Sequence, residues 1–221
     1  MGTQPFYARI TRPLFEAFTR LVFRVYCPLT VVGRENLPPL PFLFCSNHAS
    51  HMDSVVLMAA SQQRFRNFGL LAADDYFFSS PIVYRCFSCL VNLIPISRTP
   101  SAASLHRTIA ACQEFLNDGR HGLILFPEGT RSVTGQIATF KRGGGMLSFR
   151  LGIPVVPVYI DGTGRAMPKG RFLPSPRRIR VNIGAPVFPE SPNGHGHGVA
   201  YDNIVLEARR RIDAMRESSA G

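Results

Sequence analysis

Acidic residues are scarce in this 221-residue chain: 14 Asp and Glu stand against 25 Lys and Arg, for a formal net charge of +11. The imbalance gives the surface a positive field that draws anions, whether nucleic acid, an anionic membrane or an acidic substrate. Long apolar runs are missing as well. A helix that spans a bilayer needs roughly 20 mostly apolar residues, and the nearest approach, residues 86–96, is broken by Asn92 and Pro95. Cysteines are few, odd in number (five) and irregularly spaced, which argues against an extracellular disulfide framework. Cys86 and Cys89 make a lone CxxC beside Phe87 and Leu90, and without a second pair they are expected as small apolar core residues. The N-terminus has no basic-then-apolar leader with a small-residue cleavage site, so a cytosolic-side protein is expected. Internal repeats and nucleic-acid motifs are also absent, and the aromatics sit mostly in apolar runs, not along a basic stripe.

What is present suits one domain that buries its own core. Residues 8–26 carry Ile10, Leu14, Phe15, Phe18, Leu21, Val22, Val25 and Tyr26 at helical spacing, with Arg9, Arg12, Glu16, Arg20 and Arg24 largely elsewhere. Such a helix either packs its stripe on the domain or lays it in a lipid headgroup region. Further on, strand-like runs at 29–32, 41–45, 64–73, 91–96, 122–126, 153–160 and 179–183 alternate with helical stretches. The helices are expected after Ser50, after Pro81, at 102–116 with Gly119 ending it, at 140–151 and at 199–215. Three glycines are expected to loosen the 140–151 helix, and the prolines of 153–160 suggest an edge strand or bulge. The alternation predicts an α/β fold, a single-domain mixed sheet covered by helices, with an N-terminal amphipathic helical appendage. In such sheets ligands collect where strands end, and His48, Arg98 and Glu128 all fall at expected strand ends.

Residues 47–53, Asn47-His48-Ala49-Ser50-His51-Met52-Asp53, concentrate the chemistry. Asp53 reads as the acid of a Ser-x-x-Asp capping box with Ser50, a structural explanation in itself. It is also spaced to reach back to one imidazole nitrogen of His48, which would fix the tautomer and favour the imidazolium formed on proton uptake. With no cysteine and no Gly-x-Ser-x-Gly elbow nearby, the nucleophile is expected to be a substrate hydroxyl. A second polar segment, Phe126-Pro127-Glu128-Gly129-Thr130-Arg131-Ser132, also follows an apolar run. Lys169, Arg171, Arg177, Arg178 and Arg180 surround Phe172 and Leu173, a loop suited to a lipid surface or a polyanionic donor. Residues 193–198, with His195 and His197, read as flexible low-complexity chain and a weak metal candidate.

Taken in order, these segments resemble the glycerolipid acyltransferase family of the 1-acyl-glycerol-3-phosphate (lysophosphatidic acid) type, over roughly residues 30–190. Asn47 to Asp53 is similar to the family's Asn-His-x-Ser-x-x-Asp block, which implies His48 as general base and Asp53 as its orienting partner. Ile94-Pro95-Ile96-Ser97-Arg98 resembles the second block, implying that Arg98 holds the acceptor phosphate. The segment 126–132 resembles the third, implying Glu128, Gly129, Thr130 and Arg131 in the acceptor pocket. Residues 152–160 are similar to the fourth, linked to the fold and the acyl-chain side. The amphipathic stripe and the net positive charge point to a membrane-association segment at 1–28, and the resemblance implies an acyltransferase domain at 29–221. It also implies acyl transfer from acyl-CoA or acyl carrier protein to a lysophospholipid at the cytoplasmic face of an anionic membrane, with no cofactor, no metal and no nucleic acid.

The chain departs from the pattern on the acceptor side. Relatives often read Ala-Lys-x-Glu-Leu where this chain has Ala72-Ala73-Asp74-Asp75-Tyr76, so a common lysine is missing. Ser97 stands where an acid often precedes the arginine, and Asn92 where glycine is frequent. Two readings from other classes stand beside the resemblance. One is a metal-dependent hydrolase that uses His48, His51 and Asp53 as ligands, which imidazole and carboxylate chemistry allows. The other is a non-catalytic basic membrane-binding module.

Overall fold

The apolar runs that need shielding on both faces become the central strands, since a continuous run cannot sit in a sheet with one wet face. The computed structural model describes residues 8–78, 80–99, 101–190 and 197–220. Strands β1 (Leu29–Val32), β2 (Leu43–Ser46), β3 (Phe68–Ala73), β4 (Asn92–Ile96), β5 (Gly122–Leu125), β6 (Val155–Asp161) and β7 (Ile179–Ile183) form one sheet in the order β1-β7-β6-β2-β5-β3-β4. From β6 to β4 all neighbours are parallel; β7 runs antiparallel to β6 and parallel to β1, so the sheet is mixed.

The helices are α1 (Ala8–Val25), α2 (Asp53–Ala60), α3 (Asp74–Phe77), α4 (Pro81–Ser88), α5 (Ala102–Leu116), α6 (Gly143–Leu151), α7 (Thr163–Ala166) and α8 (His197–Ala220). Side chains alternate across the sheet. Phe42 and Phe44 join Phe68, Leu57 and Val156 on the face covered by α1 and α2, whereas Leu43 and Cys45 join Leu123, Leu147 and Ile212 on the face covered by α5, α6 and α8. Each fully buried Phe or Leu contributes about 1.5–3 kcal/mol, so the strands are held mainly by these two layers. α5 starts with a reciprocal cap: Ser101 Oγ accepts from the Ser104 amide while the Ser101 amide donates to Ser104 Oγ.

Several expectations need correction. β6 is an interior strand, not an edge. Pro157 is tolerated there because it opposes Gly184, just past the end of the β7 ladder, where only the Gly184 N–H to Pro157 carbonyl bond forms. Residues 65–67 form a 3₁₀ turn before β3 begins at Phe68. Cys86 is exposed and Cys89 half-buried, because α4 is a surface helix. His195 lies outside the described residues, and His197 opens α8.

The apolar stripe of α1 proves to be two faces. Phe15, Val22 and Phe23 pack on the core, whereas Ile10, Leu14, Phe18, Leu21 and Val25 point outward, with Leu14 and Phe18 about two-thirds exposed. Both readings of the helix therefore keep a face. Arg12, expected on the polar side, is buried and donates to Asn92 Oδ1, 2.5 Å away, and to the Ser88 and Val91 carbonyls. It clamps α1 to the start of β4.

The glycines of α6 tighten the fold. A Cβ on Gly145 would stand 2.1 Å from the Tyr201 carbonyl oxygen of α8, whereas one on Gly143 would meet open space. Gly145→Ala is therefore expected to lower stability by at least about 2 kcal/mol, the cost of forcing two packed helices apart. Gly143→Ala should be neutral or gain up to about 1 kcal/mol from helix propensity. Urea unfolding of the two variants checks this, and equal midpoints would refute it.

Candidate functional site

The parallel order β2-β5-β3-β4 brings four strand ends side by side, so segments far apart in the chain open onto one cleft. β2 delivers residues 47–53 and its neighbour β5 delivers 126–132. β3 leads to Asp75 and β4 to Arg98.

At the first corner the Asp53 carboxylate is fully buried. Its Oδ2 accepts from His48 Nδ1 at 2.8 Å, from the Ala49 amide at 2.7 Å and from the Ser50 amide at 2.8 Å. Only half of the expected capping box forms: Asp53 reaches back to the Ser50 amide, but Ser50 Oγ accepts from Met52 and donates to the Met167 carbonyl, 2.7 Å away. With Nδ1 committed, His48 has Nε2 left for the cleft that its side chain lines. The ring is stacked on Phe126, centroids 4.0 Å apart and planes within 11°. Position, tautomer and ring plane are thus all restrained, an arrangement that would suit a group transferring a proton at a fixed angle.

Glu128 departs from its expected place in the acceptor pocket. It is buried, its Oε1 accepting from the His48 amide at 2.7 Å and its Oε2 from the Ala138 amide at 2.8 Å. Burial pushes its carboxyl above the usual range, while the two amides pull the other way. The Ser132 amide returns a bond to the His48 carbonyl at 2.7 Å, so segments 47–53 and 126–132 are stitched beyond the ends of their strands. On the other side the Asn47 amide group bonds both the N–H and the C=O of Ile160, which ties the first segment to β6. Residues 152–160 therefore brace the site from behind without lining the cleft.

The cleft has a volume of about 1380 Å³ and is lined by His48, His51, Arg98, Gly129, Thr130 and Arg131, with apolar walls from Val55, Leu70, Leu90, Ile96, Leu105 and Leu125. Of the expected site residues, His48, Arg98, Gly129, Thr130 and Arg131 reach it; Asp53 and Glu128 stand behind. Arg98 donates to Asp75 Oδ2 at 2.7 Å, an exposed ion pair. Phe126, Asn47 and the Asp75 partner were not singled out in the sequence. The place of Phe126 at the end of the strand beside β2 is the signal that would have found it.

Among the described residues, no group of three or more His, Cys, Asp and Glu side chains converges as a ligand set, and His48 and Asp53 bond each other. The metal-dependent reading thus has no constellation of side chains behind it. A family model described as Acyltransferase matches residues 28–161. The chain belongs to the 1-acyl-sn-glycerol-3-phosphate acyltransferase family.

Among curated relatives of this chain, the Pseudomonas aeruginosa 1-acyl-sn-glycerol-3-phosphate acyltransferase is 30% identical, over 96% of this chain and 81% of that one. The chloroplastic LPAT1 of Arabidopsis thaliana is 29% identical over 83% of this chain and 48% of its own length. The chain spans about half the length, or less, of the plant and algal relatives it matches. In the crystal structure of the 1-acyl-sn-glycerophosphate acyltransferase PlsC from Thermotoga maritima the same fold recurs, with a TM-score of 0.62 and 26% identity over 95% of this chain and 83% of that one.

His51 stacks on Tyr76 and lines the cleft. Burial first, then the nearby Arg131 and His48, lowers its pKa to about 4, against 6.5 for free imidazole. Between these values the unfolded chain takes up a proton that the folded protein refuses. Stability from this group is therefore full above about pH 6.5 and declines as pH falls toward 4. His51→Gln should flatten that decline. Urea midpoints at pH 7 and pH 4.5 that fall equally in both proteins would contradict it.

Proposed function

We propose that the protein moves a fatty acyl group from a thioester donor, acyl-CoA or acyl-acyl carrier protein, to the free hydroxyl of 1-acyl-sn-glycerol-3-phosphate, giving phosphatidic acid. The observation that carries this reading is the His48–Asp53 pair, whose unbonded nitrogen opens onto an apolar cleft rimmed by arginines. The relatives named for that acceptor support the substrate. In the scheme the acceptor hydroxyl attacks the thioester carbonyl carbon while His48 Nε2 takes its proton. The tetrahedral oxyanion then collapses, expelling the thiolate, which recovers the proton from the imidazolium and leaves as a free thiol. Asp53 orients the ring and stabilises its charged form; Phe126 fixes its plane. No cofactor or metal enters the scheme.

Arg131 and Arg98 bind the acceptor phosphate, for which a guanidinium fork is well matched. Thr130 adds a hydroxyl, and Gly129, at φ +72°, lets the backbone come close. Glu128 acts as a positioning residue through the His48 amide. The apolar walls suit acyl chains.

Both substrates are amphiphilic, and no helix among the described residues is long and apolar enough to cross a membrane. In this reading residues 1–28 dock the enzyme on the cytoplasmic face of an anionic membrane through the outward face of α1. The exposed Phe172 and Leu173 continue that surface, and the net positive charge attracts it. Tyr26, just past α1, bonds the Pro174 carbonyl, which joins the two elements.

His48→Ala should reduce transfer by at least 10³-fold, in line with loss of a general base plus its positioning, in a protein that still folds, with a melting temperature lowered by the lost bond to buried Asp53 and unchanged vesicle binding. Product mass from a panel of lysolipids crossed with both donors reads this out, and wild-type turnover by the variant would refute the base assignment. The paired change Leu14→Glu and Phe18→Glu should weaken sedimentation with anionic vesicles without altering the fold. Undiminished binding would remove α1 from the membrane surface.

A further inference from the structure

Two of the cationic groups in the cleft are already matched to anions. Arg98 is paired with Asp75, and Arg142 forms a two-point ion pair with Asp202 of α8. A third, Arg171, donates to Ser175 Oγ at 3.0 Å, whereas the remaining two cations of the cleft, Arg131 and Lys141, are different. Among the described residues neither side chain has a hydrogen-bond or ion-pair partner. Lys141 is brought to segment 126–132 by its own amide, which donates to the Pro127 carbonyl at 2.9 Å. Its side chain then lies along Gly129: a Cβ built on Gly129 would stand 3.1 Å from Nζ and 3.2 Å from Cε. An ammonium with no anion beside it, held at the loop that carries Thr130 and Arg131, is a charge provided for something absent from the chain itself.

We propose that Lys141, together with Arg131, forms the acceptor's phosphate site and selects a phosphate monoester over a phosphodiester headgroup. The inference rests on the acyl-transfer reading above and names which charge sets its acceptor class. A terminal phosphate with a second ionisation near pH 6 carries close to two negative charges at neutral pH, whereas a phosphodiester carries one. Arg131 offers a planar fork and Lys141 a compact point charge, so the pair matches the monoester charge for charge. Arg98 must leave Asp75 to take part, whereas Lys141 has no anionic partner to leave.

The experiment compares wild type, Lys141→Met and Lys141→Arg with 1-acyl-glycerol-3-phosphate and with 1-acyl-glycerophosphocholine. KM is measured for acceptor and for donor, with melting temperatures alongside. Lys141 is exposed and its structural bond is made by the backbone, so both variants should fold. Lys141→Met is expected to raise KM for the monoester at least tenfold, with kcat within about threefold and donor KM unchanged. The ratio of kcat/KM for monoester over diester should fall at least tenfold, and Lys141→Arg should restore most of it. An unchanged acceptor KM in Lys141→Met overturns the proposal, as does a rise confined to the donor. A wild-type enzyme that acylates neither lysolipid sinks the acyl-transfer reading and this inference with it, whereas an active enzyme indifferent to Lys141 sinks the inference alone.

Discussion

The corner between β2 and α2 is folded around one carboxylate. Removing Asp53 from water costs several kcal/mol even after relaxation, and the only compensation is local: three donors converge on Oδ2, two of them backbone amides of the residues that turn the chain. Those bonds exist only if residues 48–50 adopt this turn, so the charge selects the conformation as much as the conformation houses the charge. The third donor is the imidazole. A helix start and the His48–Asp53 pair are therefore made by the same oxygen atom, and neither can be altered without the other.

The rest of the centre extends this constraint outward. Sheet hydrogen bonding ends at Ser46 in β2 and Leu125 in β5, yet the chain beyond must remain ordered if His48 is to hold its place. Side chains take over from the ladder: Glu128 bridges the His48 and Ala138 amides, and Asn47 mimics a strand partner for Ile160. Each such bond is worth about 1 kcal/mol net, but each group left unpaired in the interior would cost about 1–3 kcal/mol. The segments are thus fixed relative to one another by the penalty for separating them. This explains why an acid that reads as a ligand for substrate is spent on backbone amides.

The legible parts of the sequence were those where one local rule dominates. α5 lies at the expected 102–116, and the central strands are the continuous apolar runs. His48 and Asp53 were legible because their spacing and their chemistry agree. Glu128 was not, since a carboxylate just past a strand has the same pattern whether it faces a ligand or an amide. Pro157 misled because the local rule against proline in central strands does not register where a neighbouring strand stops. In α1 the apolar residues cover so much of the circumference that period alone could not divide them, and Arg12 looked like part of a wet face. Gly145 resembled a weakness in α6 until α8, far along the chain, filled the space at its Cα. These misreadings share a cause: the deciding partner is remote in sequence.

The division of α1 into two apolar faces bears on the proposed function, in which the cleft works on lipid at a membrane surface. Its inner face is committed: Phe15 both packs on the core and lines the cleft, and Arg12 is locked to Asn92 at the start of the strand that leads to Arg98. Its outer face is not, for five large apolar residues are left in water at a cost that folding alone does not explain. A helix that only stabilised the domain would need the first face, and one that only anchored it would need no buried arginine. Having both, α1 would, if its outer face docks on a membrane as proposed, make the distance between that surface and the cleft a fixed property of the fold. In the proposed reading, a lysolipid would then be drawn out of the membrane by a set amount, its chain among the apolar walls and its headgroup at the cationic rim, before its hydroxyl could meet His48.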